Sequence, residues 1–250
     1  MQTGRNPQTF QQRFNAPEPT PAWKLGTAAF FVVAYVLVWI ASLTLIVTLR
    51  GEIDGNVSTD SYLLTVFLAH LVLLIGIVQW ARQRLGADWT RHLHLEAVRG
   101  GQFIFALLIG LGVAWALDLV GGLLGVKAWL AIPPLYNGLI EPVSLPWILG
   151  AVAALILQPI VETIIFTGLL YPVATQRAPN NSGAVLATAF AFMFVNVFLS
   201  VQQGSWFVVA QPLLMAAFIS GVRAYTQSTR LAIAARIGFG LLIVLVAIIQ

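Results

Sequence analysis

Apolar segments long enough to cross a bilayer follow one another along almost the whole chain, and that pattern constrains the fold before any single residue is considered. About 20 apolar residues cover the hydrocarbon core of a membrane. Segments of that kind fall at roughly 27–49, 63–81, 102–126, 147–173, 184–202, 205–222 and 229–249 of the 250 residues. The runs are continuous rather than alternating, which excludes a β-barrel and leaves an all-α polytopic membrane bundle of about seven helices. Only 9% of the residues are charged, where soluble domains carry about 25%.

The intervening stretches divide the chain. Residues 1–22 are polar and rich in Gln and Pro, lack the layout of a cleaved signal peptide, and are expected to form a flexible tail. Residues 23–250 are expected to form one transmembrane helical domain. The stretch 128–147 is apolar but interrupted by Pro133, Pro134, Pro142 and Pro146. It suits an interfacial or re-entrant loop, with a short eighth helix as the alternative.

Basic residues set the expected orientation. With the N-terminus inside, the inner segments hold Arg5, Arg13, Lys24, Arg82, Arg84, Arg91, Arg99, Arg177, Arg223 and Arg230, and the outer ones only Arg50 and Lys127. The positive-inside rule then puts the N-terminus in the cytoplasm and the C-terminus outside, in a bacterial cytoplasmic membrane. The same rule accounts for the net charge of +4 without nucleic acid. Cysteine is absent, so thiolate metal sites and cysteine nucleophiles are excluded. The small residues Gly121 to Gly125 have the GxxxG spacing of close helix packing.

Few ionisable residues remain at membrane depth: His70, Asp118, Glu162 and Arg236. Such residues are costly in hydrocarbon and mark function or internal pairing. At the helical rise, Glu162 lies roughly 12–18 Å from the inner end of its span, Asn196 about 18 Å, His70 about 16 Å and Arg236 about 10 Å. His92 and His94 in "RHLHLE" have no further ligand at zinc-site spacing and read as solvated loop residues.

The stretch "PIVETIIFTGLLYP" (159–172) resembles the glutamate-bearing helix of the CAAX-protease and bacteriocin-processing family of intramembrane metalloproteases. Pro159, Glu162, Phe166, Gly168, Leu170, Tyr171 and Pro172 match a PxxEExxFRGxLYP frame, with Thr163 and Thr167 in place of its second Glu and its Arg. Phe192 matches the family's FxxxH motif, with Asn196 in place of the His. In the last motif Arg236 stands where a His is expected and Gly240 where an Asn is. The resemblance spans about 145–245 and implies a similar bundle. In the family a glutamate activates water on a metal held by Glu, His and Asn. Here only Glu162 is kept, so no catalytic residue and no metal cofactor are expected.

A guanidinium is always cationic and would repel a metal ion. The expectation is therefore a buried Glu162–Arg236 ion pair, with Asn196, Thr163 and Thr167 donating hydrogen bonds to it. A catalytically inactive scaffold or accessory subunit follows, binding other membrane proteins, lipids or pigments. The alternatives are an active metalloprotease with a rearranged site using Glu162 and His70, and a small-molecule carrier.

Overall fold

The computed structural model describes residues 9–52, 57–125, 144–199 and 207–249. Every regular element in them is helical. A short helix α1 (Phe10–Phe14) precedes α2 (Leu25–Arg50) and α3 (Thr59–Leu85); a single turn, α4 (Trp89–His92), leads to α5 (Gly100–Leu123). The long α6 (Leu145–Thr175) is followed by α7 (Asn181–Leu199), α8 (Phe207–Thr226) and α9 (Thr229–Ile249).

By length and composition, α2, the α3–α4 stretch, α5, α6 and α7 can each cross a membrane. Helices α8 and α9, of 20 and 21 residues, complete the bundle. The ends of these helices fall within a few residues of the limits expected from the apolar runs. Of the loop expected at 128–147, residues 128–143 lie outside the described residues, and Ser144 caps the start of α6 through the Trp147 amide.

Helix α6 sits at the centre. Val161, Glu162, Thr163, Ile164, Ile165, Phe166, Thr167 and Leu169 are all buried, whereas α5 keeps most of its surface outward. The inner face of α2 (Phe31, Tyr35), of α3 (Leu73, Ile77) and of α9 (Ala232, Ala235, Phe239) packs into one core around it. Helix α6 is not uniform. It widens into π turns over Ala153–Leu157 and Ile164–Leu170, with an α-helical segment at Gln158–Thr163 between them. Each wide stretch precedes a proline, Pro159 or Pro172, which lacks the amide hydrogen of the regular ladder.

The most extensive helix contact is α5 against α9, and its closeness depends on glycine. A Cβ on Gly110 would lie 1.9 Å from the Ala235 carbonyl oxygen, and one on Gly238 would lie 1.9 Å from that of Leu107. Small residues allow membrane helices to approach to backbone contact. Of the two glycines in the Gly121–Gly125 spacing, Gly121 is buried and Gly125 faces open space. The spacing identifies small residues but not the side of the helix that meets a neighbour.

The stretch expected as a flexible tail folds back onto the bundle from Thr9 onward. Thr9 and Gln12 form a reciprocal cap on α1. The Phe10 ring stacks on Tyr225, and Asn181 donates its amide to the Phe14 and Ala16 carbonyls. Beyond that, Pro17, Pro19 and Pro21 hold an extended arm that ends with the buried Trp23, whose indole donates to the Leu169 carbonyl at 2.9 Å. Polar, proline-rich composition reads as disorder when the surface that receives the segment is unknown.

Candidate functional site at mid-membrane

Glu162 and Arg236 come together in the core. Both are buried, at 1% and 6% exposure. The Arg236 Nη2 donates to Glu162 Oε2 at 2.9 Å and its Nε approaches the same oxygen at 3.3 Å. Gly240, one turn further along α9, leaves room beside the guanidinium: a Cβ there would lie 3.9 Å from Arg236 Nη1 and 3.3 Å from the Ala154 carbonyl oxygen.

The second carboxylate oxygen is served by residues other than those expected. Glu162 Oε1 accepts from Gln158 Nε2 at 2.7 Å and from the Tyr35 hydroxyl at 3.0 Å. Asn196, Thr163 and Thr167 do not donate to the pair. The Thr167 hydroxyl donates to the Thr163 carbonyl, and Asn196 donates to the Phe192 carbonyl, each one turn back on its own helix. Short polar side chains in a helix find that carbonyl first. Thr163 Oγ1 is buried without a hydrogen-bond partner among the described residues. Phe192 is buried and packs edge-on against Phe166, with ring centroids 4.9 Å apart.

His70 joins through Tyr35. Its Nε2 lies 3.2 Å from the Tyr35 hydroxyl and its Nδ1 lies 2.6 Å from the Val66 carbonyl oxygen. A carbonyl only accepts, so Nδ1 carries a hydrogen. The single hydroxyl hydrogen of Tyr35 then faces two acceptors, Glu162 Oε1 and a neutral Nε2. Both contacts become hydrogen bonds when the His70–Tyr35–Glu162 chain holds one proton beyond a neutral imidazole and a carboxylate. Asp118 lies apart from this group, with Oδ1 buried and unpartnered among the described residues.

This donor set does not fit a resident metal ion. A catalytic zinc needs about three protein ligands and an open position. Among the described residues no three His, Asp, Glu or Cys side chains gather in one place. One Glu162 oxygen is covered by a guanidinium, and the other already accepts two hydrogen bonds. The geometry joins a fixed anion to a fixed cation and ties α6 to α2, α3 and α9.

Nearer the other end of α6 a second charged group is buried. Glu18, on the proline-rich arm, pairs with Arg223 of α8 and lies 3.4 Å from His94 Nε2. Arg223 has no exposed surface, and its Cζ lies 5.7 Å from the Tyr171 ring centroid. His94 is thus not the solvated loop residue its sequence suggested. Burial, helped by the Arg223 charge, pushes its imidazole down to about 4, while burial raises the Glu18 carboxyl against the pull of Arg223. For His94 the sign is clear: a depressed histidine contributes stability above its ordinary value of 6.5 that is lost as the pH falls toward 4. Thermal unfolding of wild type and His94→Gln across that window should show the wild type losing stability relative to the variant as the pH falls. Glu18 is common to both proteins, so the difference isolates His94.

Residues 144–242 match the family model of Rce1-like proteins, described as type II CAAX prenyl endopeptidase Rce1-like. No curated protein and no solved structure matches the chain significantly. The matched segment holds α6 to α9 almost entirely, and with them Glu162, Phe192, Asn196, Arg236 and Gly240. Residues 144–242 of the chain are thus similar to the Rce1-like type II CAAX prenyl endopeptidases.

Proposed function

We propose that this chain is a non-proteolytic member of its family, retained as a membrane scaffold or accessory subunit that binds other membrane proteins or lipids. The observation that carries the reading is the Arg236 guanidinium on the Glu162 carboxylate. A glutamate that activates water needs a free lone pair and a place for the water beside it. Here Arg236, Tyr35 and Gln158 take up both oxygens. The pair neutralises an acid at the depth where the family binds its metal, so the bundle keeps its packing while the chemistry is lost.

The outer surface supports association. On α7, Leu186, Phe190, Phe194 and Phe198 are exposed at four-residue intervals and form one apolar ridge. On α5, Ile104, Phe105, Leu108 and Trp115 are exposed. Lipid tails or neighbouring helices suit both faces. The Lys and Arg distribution supports a cytoplasmic N-terminus.

Purified protein tests the reading. It should carry no stoichiometric zinc and should not cleave a prenylated CAAX peptide, and extraction of native membranes in mild detergent should yield it with a membrane-protein partner. One metal ion per chain, with peptide cleavage lost in Glu162→Gln, overturns the non-proteolytic reading. Recovery as a lone monomer overturns the scaffold reading.

A further inference from the structure

The arm that buries Glu18 delivers a carboxylate to a site able to hold more than a carboxylate. Arg223 is fully buried, yet among the described residues only its Nη2 has a partner, Glu18 Oε1. Its Nε and Nη1, the second Glu18 oxygen and the hydroxyl of the buried Tyr171 have none. The Arg223 guanidinium carbon lies 5.7 Å from the Tyr171 ring centroid, which brings these groups together around the Glu18 carboxylate. One contact between a planar guanidinium and a two-oxygen anion leaves donors that an anion with more oxygens would use.

We propose that Arg223 and Tyr171 form an oxyanion site for the phosphate of an anionic phospholipid headgroup, and that Glu18 occupies this site as a displaceable internal ligand. Placement favours the headgroup. Arg223 sits in the last turn of α8 and Tyr171 in the last turn of α6, roughly 13 Å along that helix from Glu162 and so near the bundle end. The exposed Arg91, Arg177 and Arg230 lie close to the same helix ends, in the arrangement that draws anionic lipid.

The arm is built for exchange. Prolines on both sides of Glu18 keep it extended, so little order is lost when it leaves and returns. Its outer part is held by the Phe10–Tyr225 stack, Arg13 over the same ring, and the two Asn181 hydrogen bonds. Its inner end stays anchored by Trp23 on Leu169. When phosphate takes Arg223, residues 9–18 come away while Trp23 holds.

Trypsin cleavage after Arg13 reads the state of the arm, using the full-length protein in nanodiscs of phosphatidylcholine alone or mixed with phosphatidylglycerol. The anionic discs should accelerate cleavage several-fold. Glu18→Gln should be cleaved quickly in both lipids. Asn181→Ala, which loosens the arm without altering a charge, should start faster and still respond to the anionic lipid. Arg223→Gln should be cleaved quickly and show no lipid response. Equal cleavage of the wild type in the two lipids overturns the proposal, and so does a lipid response that survives in Arg223→Gln. Inorganic phosphate added to phosphatidylcholine discs, against chloride at equal ionic strength, separates the sources. Acceleration by phosphate matching that of the lipid overturns the headgroup assignment, and its absence supports it.

Discussion

Arg236→Met should destabilise the protein by about 3–5 kcal/mol, the usual result of stranding one member of a buried ion pair. Glu162 would keep its hydrogen bonds from Tyr35 and Gln158 but lose the only cation that contacts its carboxylate among the described residues. Removing both charges is a different experiment. In Glu162→Gln/Arg236→Met nothing charged is left in the layer, and an apolar replacement for a buried pair is often neutral or stabilising. The double variant should therefore recover most of the loss, and thermal unfolding in detergent of the two single variants and the double one completes the cycle. If Arg236→Met is as stable as the double variant, the two charges are not coupled and the site needs another account.

Gly238→Ala, like Gly110→Ala across the same contact, should be a severely damaging single-methyl change. The added carbon would lie 1.9 Å from the Leu107 carbonyl oxygen, and the obstacle is backbone that no rotamer change can move aside. Helices α5 and α9 would have to separate along their most extensive contact. We expect a loss of about 3 kcal/mol, the upper end of ordinary overpacking. Gly122→Ala on α5 is the control: it meets open space, so only helix propensity acts, which favours alanine by up to about 1 kcal/mol. Comparable stability of the two variants would show that interhelical contact does not govern Gly238.

The helices were legible because hydrocarbon thickness sets their length, so apolar runs locate them within a few residues. Glu162 and Arg236 were legible because charge in an apolar run demands a partner and the family's frame aligned the two. Tyr35 was not, since a tyrosine in an apolar helix carries no motif. Its depth, about ten residues into α2 and so roughly 15 Å along it, matches that of His70 and would have suggested the contact. Gln158 gave a local sign as well, standing four residues before Glu162, where helical side chains meet. Glu18 gave none. Its partners lie some 76 and 205 residues away, on His94 and Arg223, and only the tertiary fold brings them under the arm.

The two wide turns in α6 set the angular phase of the site. Each π turn accommodates one residue more than an α turn, and one residue is about 100° of rotation about the helix axis. A helical wheel drawn through 145–175 as a regular helix therefore misplaces the Gln158–Thr163 segment relative to its flanks. Arg236 and Tyr35 contact the Glu162 carboxylate on the α-helical segment between the two wide turns. Excision of a single residue from Ala153–Leu157 would reset that phase and swing Glu162 off Arg236 while leaving every side chain of the frame in the sequence.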